Sequence, residues 1–187
     1  MAILRKRSIT AIDMTSGNIA VCILKFSLPL LVGNVLQQLY NTVDTWVVGN
    51  YVSNEAFSAV GSVAPAINAL ISLFLGFSTG SGVVISQFFG AGENDDLSDS
   101  ITTSLISSVF IGLFLTVVGI LCIPWMLAWM KTPDSVKPFA SSYLRVYFYG
   151  LIGLCIYNMG SGILRALGDS VRTFYYLAIC TVLNIGI

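Results

Sequence analysis

The sequence predicts an all-α membrane protein, a polytopic bundle of about five transmembrane helices. Hydrophobic residues fill 56% of its 187 positions and charged residues only 10%. A soluble domain carries about 25% charged residues. Mean hydropathy is +0.85. The apolar residues are gathered into runs longer than the roughly 20 residues that a helix needs to cross hydrocarbon, and short polar, Gly- or Pro-containing breaks separate them.

Residues 1–17 form a polar N-terminal segment with Arg5, Lys6 and Arg7. No cleavable signal is expected, because the next apolar run far exceeds the roughly 7–15 residues of a signal h-region. The first span is expected over 18–49, with Pro29 inside it as a kink or hinge, since proline removes a backbone bond. A short turn leads to a second span over 55–89. The Gly90-Ala91-Gly92 stretch ends it and opens an acidic loop. A third span over 97–123 is expected to close at Pro124, with Trp125 and Trp129 as interfacial residues. Thr132-Pro133-Asp134 reads as an N-cap followed by a first-turn proline. The fourth span covers 139–167. Gly168-Asp169-Ser170 caps it and starts a fifth span over 173–187. Because the sequence stops within that apolar run, the expectation is an incomplete lobe, residues 18–187, of a longer product.

Charge placement gives an orientation. Arg5, Lys6, Arg7, Arg165 and Arg172 fall on one side, and Lys131 and Lys137 on the other. The positive-inside rule then puts the N-terminus in the cytoplasm. The acids Glu93, Asp95, Asp96 and Asp99 contribute little to that rule and suit the start of a helix. Lys25 and Arg145 stand near span ends, from which they can snorkel to the interface.

A net charge of zero gives no sign of a nucleic-acid partner. The absence of histidine removes the commonest metal ligand and neutral-pH base. Cys22, Cys122, Cys155 and Cys180 lack metal-ligand spacing and read as small buried hydrophobes. With no nucleophile–base pair and no clustered acids in the spans, an enzyme is not expected.

The first span carries the candidate site. Asn34, Gln37, Gln38, Asn41, Asp44 and Thr45 recur at the spacing of one helical face. A carboxylate in an apolar helix is costly unless it faces protein, water or a counter-charge. Asp44 lies nineteen residues past Lys25, roughly 28 Å further along the helix. That is the far half of the bilayer, where the carboxylate either rests at the interface or serves the polar face beneath it. Asn158 and Asn184 are isolated amides in later spans, either glue between helices or ligands. Facing Asp44, they would complete a site for a proton or a small hard cation such as Na⁺. No other cofactor is expected. Tyr40 and Phe57 are candidate cavity aromatics. The second span carries small residues at helical spacing, including Gly76 and Gly80, which suit close packing or a pathway.

Four stretches together resemble the multidrug and toxic compound extrusion (MATE) transporters. The first runs from Ser27-Leu28-Pro29-Leu30 to Asn34, Gln37-Gln38, Tyr40-Asn41 and Val43-Asp44-Thr45. The others are Ala59-Val60-Gly61, Ile85-Ser86-Gln87 with Gly90-Ala91-Gly92, and Arg165-Ala166-Leu167-Gly168-Asp169-Ser170. The resemblance runs from about residue 15 onward. It implies part of a twelve-helix fold with two lobes in the plasma (cytoplasmic) membrane, exporting drugs and organic cations in exchange for H⁺ or Na⁺. It implies that Asp44 binds the coupling cation, that Asn158 and Asn184 are cavity amides, and that Pro29 is the site of first-helix bending. The lipid bilayer and a C-terminal lobe would be its partners. A flippase for a lipid-linked oligosaccharide shares the architecture and is the nearest alternative. An inactive truncated membrane fragment is the other.

Overall fold

A computed structural model describes residues 18–51 and 53–186; the side chains of Asp44, Val48, Asn54 and residues 184–186 lie outside the described set. Five helices follow one another: α1 (Ile19–Tyr51), α2 (Asn54–Ala91), α3 (Asn94–Trp129), α4 (Lys137–Ala166) and α5 (Ser170–Gly186). The first four are long and apolar enough to cross a membrane, and α5 has a shorter apolar stretch, Ser170–Leu183.

Local chemistry sets the breaks. Ser53 caps α2 by accepting the Ala56 N–H at 3.1 Å. Gly92 ends α2 at φ 75°, a left-handed conformation that costs glycine little. Asp95 and Asp96 then occupy the first turn of α3, where the helix dipole favours anions. Gly168 turns at φ 82°. Beyond it the buried Asp169 carboxylate accepts the Arg172 N–H at 3.1 Å and pairs with the Arg172 guanidinium at 3.1 Å, fixing the start of α5.

Two expectations about breaks need correction. α3 does not close at Pro124 but continues to Trp129. Packing against α4 holds the helix past the proline, with Ile123 and Leu127 buried on either side. Nor does Pro133 open α4. Residues 134–136 form a turn, and α4 starts at Lys137 with Pro138 in its first turn, where a missing N–H costs no helical bond.

The core lies among α2, α3 and α4. Val63, Ile85, Leu144, Phe148, Cys155 and Met159 are fully buried there. Small residues set the spacing. A Cβ at Gly119 would stand 2.5 Å from Phe148 Cδ1 and 2.6 Å from its Cζ, so the α3 backbone rests directly on that ring. Thr116 donates to the Phe148 carbonyl at 3.0 Å, and Ser78 of α2 donates to the Asn158 carbonyl at 3.1 Å. These hydroxyls tie neighbouring helices where lipid offers no alternative partner.

By contrast, α1 stands apart. Its main neighbour is α5, and it approaches α2 only slightly. Gly33 makes the α1–α5 approach, with its would-be Cβ 3.1 Å from Leu177 Cδ2 and 3.7 Å from Phe174 Cδ2. Among the described residues, the backbones of α1 and α4 make no close approach.

Candidate functional site: the polar face of the first helix

Because α1 touches α2 so little, their shared end opens into a cleft of about 600 Å³. That volume falls within the range of drug-sized binding sites. α1 supplies Gln38, Asn41, Thr42, Thr45, Trp46, Gly49 and Asn50, and α2 supplies Phe57. The α1 residues recur every three or four positions, so they form one strip running along the helix. Gly49 lets α2 come close: a Cβ there would meet the Phe57 ring at 3.2 Å.

Much of the strip's polar capacity is used internally. Thr42 and Thr45 donate to the Gln38 and Asn41 carbonyls, both at 2.8 Å. Asn50 donates to the Trp46 carbonyl at 2.8 Å, and Asn41 donates to Gln38 Oε1 at 3.4 Å. Such local bonds hold rotamers and leave amide acceptors facing the cleft. Trp46 packs edge-on against Tyr51 at 5.9 Å between ring centroids. The cleft therefore offers two aromatic surfaces beside amides and hydroxyls. That mixture offers both cation–π and dipolar contacts.

The polar residues expected on one face are divided in two. Gln38 and Asn41 line the cleft, whereas Asn34 and Gln37 are exposed without lining it. Tyr40 is half-buried. Position 44 stands four residues past Tyr40 and eleven past Gly33, so the backbone register places it on the side of α1 that meets α5. The Asp44 and Asn184 side chains lie outside the described residues. Pro29 is half-buried, and α1 runs through it as one helix.

Asn158 is half-buried on α4. Its Nδ2 donates to the Leu154 carbonyl at 2.8 Å, and its own carbonyl accepts from Ser78. Its Oδ1 accepts no hydrogen bond from the described residues. Tyr143, Tyr147, Leu154, Asn158, Ser161 and Arg165 follow one another at three-, four- or seven-residue steps, a single stripe on α4.

Sequence reasoning missed Thr42, Trp46 and Asn50 as cleft residues. The polar strip actually continues one turn past Thr45, through Gly49 and Asn50. The pair Tyr143/Tyr147, four residues apart with rings 6.4 Å apart, was a readable signal of a shared aromatic face.

Known proteins share this arrangement. A family profile described as MatE matches residues 29–187. The chain is 34% identical over 162 residues to "Probable multidrug resistance protein YoeA" of Bacillus subtilis, covering 87% of this chain and 35% of that protein. It is 28% identical over 163 residues to "Probable multidrug resistance protein NorM" of Thermotoga maritima, again covering 87% of this chain and 35% of the relative. Among solved structures, MATE in complex with MaD3S superposes with a TM-score of 0.86 at 28% identity, covering 95% of this chain and 40% of that one. The chain thus spans little more than a third of the relatives it matches. The profile match, the relatives and the shared backbone agree: the chain belongs to the MatE family, the multidrug and toxic compound extrusion transporters.

Proposed function

We propose that these helices form part of a multidrug efflux transporter, exporting organic cations and other amphipathic compounds in exchange for H⁺ or Na⁺. The observation that carries this reading is the cleft, drug-sized and bordered by amides, hydroxyls, Trp46 and Phe57 in a MatE-family bundle. An aromatic-and-amide wall binds by shape and polarisability rather than through one fixed ion pair, which suits varied substrates.

In this reading Asp44 is the coupling residue. It stands on the α5-facing side of α1, one turn past Tyr40, and the cleft lies on another side of the same helix. Loading its carboxylate with a proton or Na⁺ removes or compensates a charge between α1 and its neighbours. That change biases how α1 sits, and with it the shape of the cleft. Asn158, with an amide oxygen facing no described donor, and Asn184 of α5 are the proposed companions. A second lobe would complete the alternating-access cycle. The membrane would be the plasma membrane, with the N-terminus cytoplasmic.

The test is efflux and drug resistance in cells expressing the transporter. Asp44→Asn should abolish resistance to ethidium-type cations with membrane expression unchanged. Wild-type resistance in that variant would refute the coupling role. Replacing Na⁺ with choline at fixed pH, and shifting pH at fixed Na⁺, assigns the ion.

A further inference from the structure

We propose that the groove between α3 and α4, at the end where these helices connect, is a binding site for an anionic phospholipid. The groove is about 410 Å³ and separate from the cleft. Its hydrophilic side chains, Lys137, Ser141 and Arg145, all come from α4. They recur every four residues and so stack along one face. The opposite wall is apolar and includes Ile123, Pro124 and Leu127 of α3.

Each part of the groove matches one part of a lipid. Arg145 lies about two turns inside α4 and has no ion-pair or hydrogen-bond partner among the described residues. A guanidinium at that depth needs a counter-charge or an exit to water. Helical side chains lean toward the N-terminus, so it reaches back toward Ser141 and Lys137. Lys137 donates to Asp134 at 2.6 Å, but the Asp134 side chain is 95% exposed. Water screens such a pair, so an incoming phosphate can take over the lysine. Pro124 has no N–H, which leaves the Ile120 carbonyl without its helical donor and available to a headgroup hydroxyl.

Depth and wall chemistry select the occupant. Trp125 and Trp129, on the same stretch of α3, are 80% and 89% exposed. Exposed tryptophans at a helix end mark the headgroup level of a bilayer. The cations therefore meet lipid phosphates, and the apolar wall runs alongside the acyl chains. Free phosphate would use the cations and gain nothing from that wall. A zwitterionic lipid would use the wall and bring its own cation against Arg145.

Native mass spectrometry of the purified, delipidated chain tests this. Phosphatidylglycerol, phosphatidylcholine with the same acyl chains, and inorganic phosphate are each titrated in. Phosphatidylglycerol should be retained roughly 30-fold more strongly than phosphatidylcholine, about fivefold from each of the two interfacial cations. Lys137→Gln/Arg145→Gln should erase that preference. Arg145→Lys should keep most of it, and Lys25→Gln, an exposed cation at the other end of the bundle, should leave it intact. Equal retention of the two lipids by the unaltered chain would overturn the proposal, and that comparison needs no variant to fold. So would full competition by inorganic phosphate, or a preference that survives the double substitution.

Discussion

Gly119→Ala tests the packing that holds α3 on α4. Alanine is the better helix former by about 1 kcal/mol, so in open surroundings the change would stabilise. At Gly119 the new methyl would sit 2.5–2.6 Å from two ring carbons of Phe148 and closer to a third. Carbon atoms rest at about 3.5–4.0 Å, so the helices must part by about 1 Å or the ring must move. The ring has nowhere to go, since Phe148 is 1% exposed and its carbonyl is held by Thr116. Overpacking of this kind costs about 1–3 kcal/mol, and a clash this deep belongs at the upper end. Net of the propensity gain, we expect a loss of about 2 kcal/mol, or roughly 4–8 °C in Tm for a chain of this size. Thermal unfolding in detergent reads it. Phe148→Leu alone should also destabilise, but combined with Gly119→Ala it should cost less than the two separately, with a coupling of about 1 kcal/mol. Gly76→Ala is the control, because nothing lies within 4 Å of a Cβ there. A Gly119→Ala protein melting at or above wild type, or strict additivity with Phe148→Leu, would refute the close-packing account.

Other outcomes follow from the same geometry. Thr116→Val removes a buried donor to the Phe148 carbonyl and should lower stability by about 1 kcal/mol in the same melt, with Thr116→Ser recovering most of it. Arg172→Ala strips the buried Asp169 of its guanidinium partner, and amide exchange in the first turns of α5 should accelerate while that of α3 is unchanged. Gly49→Leu should push Phe57 across the cleft and reduce drug binding measured by fluorescence titration, with Tm almost unmoved. The Asp134 carboxyl is held below its ordinary value of 3.8, first by the hydrogen bond from Lys137 and then by that lysine's charge. Its contribution is therefore complete above pH 3.8 and is lost as pH falls through the lower folded value. Carboxyl NMR of Lys137→Gln should show Asp134 titrating back near 3.8.

Composition and run length made the helical class legible, because apolar runs of this length have few other uses. Boundaries set by glycine were legible too, at Gly92 and Gly168, since their chemistry is local, whereas the Ser53 cap was read only as part of a turn. Pro124 misled because whether proline ends a helix depends on what packs around it, and α4 supplies that packing; Pro133 misled because Pro138, not Pro133, takes the first-turn position of α4. The polar face of α1 was visible as a spacing. Its division was not, because the partner on each side is a distant part of the chain. Gln38 and Asn41 meet the cleft beside Phe57, while the half-buried Tyr40 does not line it. No property of residues 34–45 alone reports which neighbour stands where.

Gly33 is seated by Phe174 and Leu177, residues from the far end of the sequence. During synthesis α1 is made well before α5, its principal neighbour among these helices. The α2–α4 unit can assemble in the meantime, leaving α1 held only by the short link to α2 and the slight contact of Gly49 with Phe57. Chains halted before Ser170 should accordingly carry a loosely held first helix, open to quality-control proteases that ignore the finished bundle.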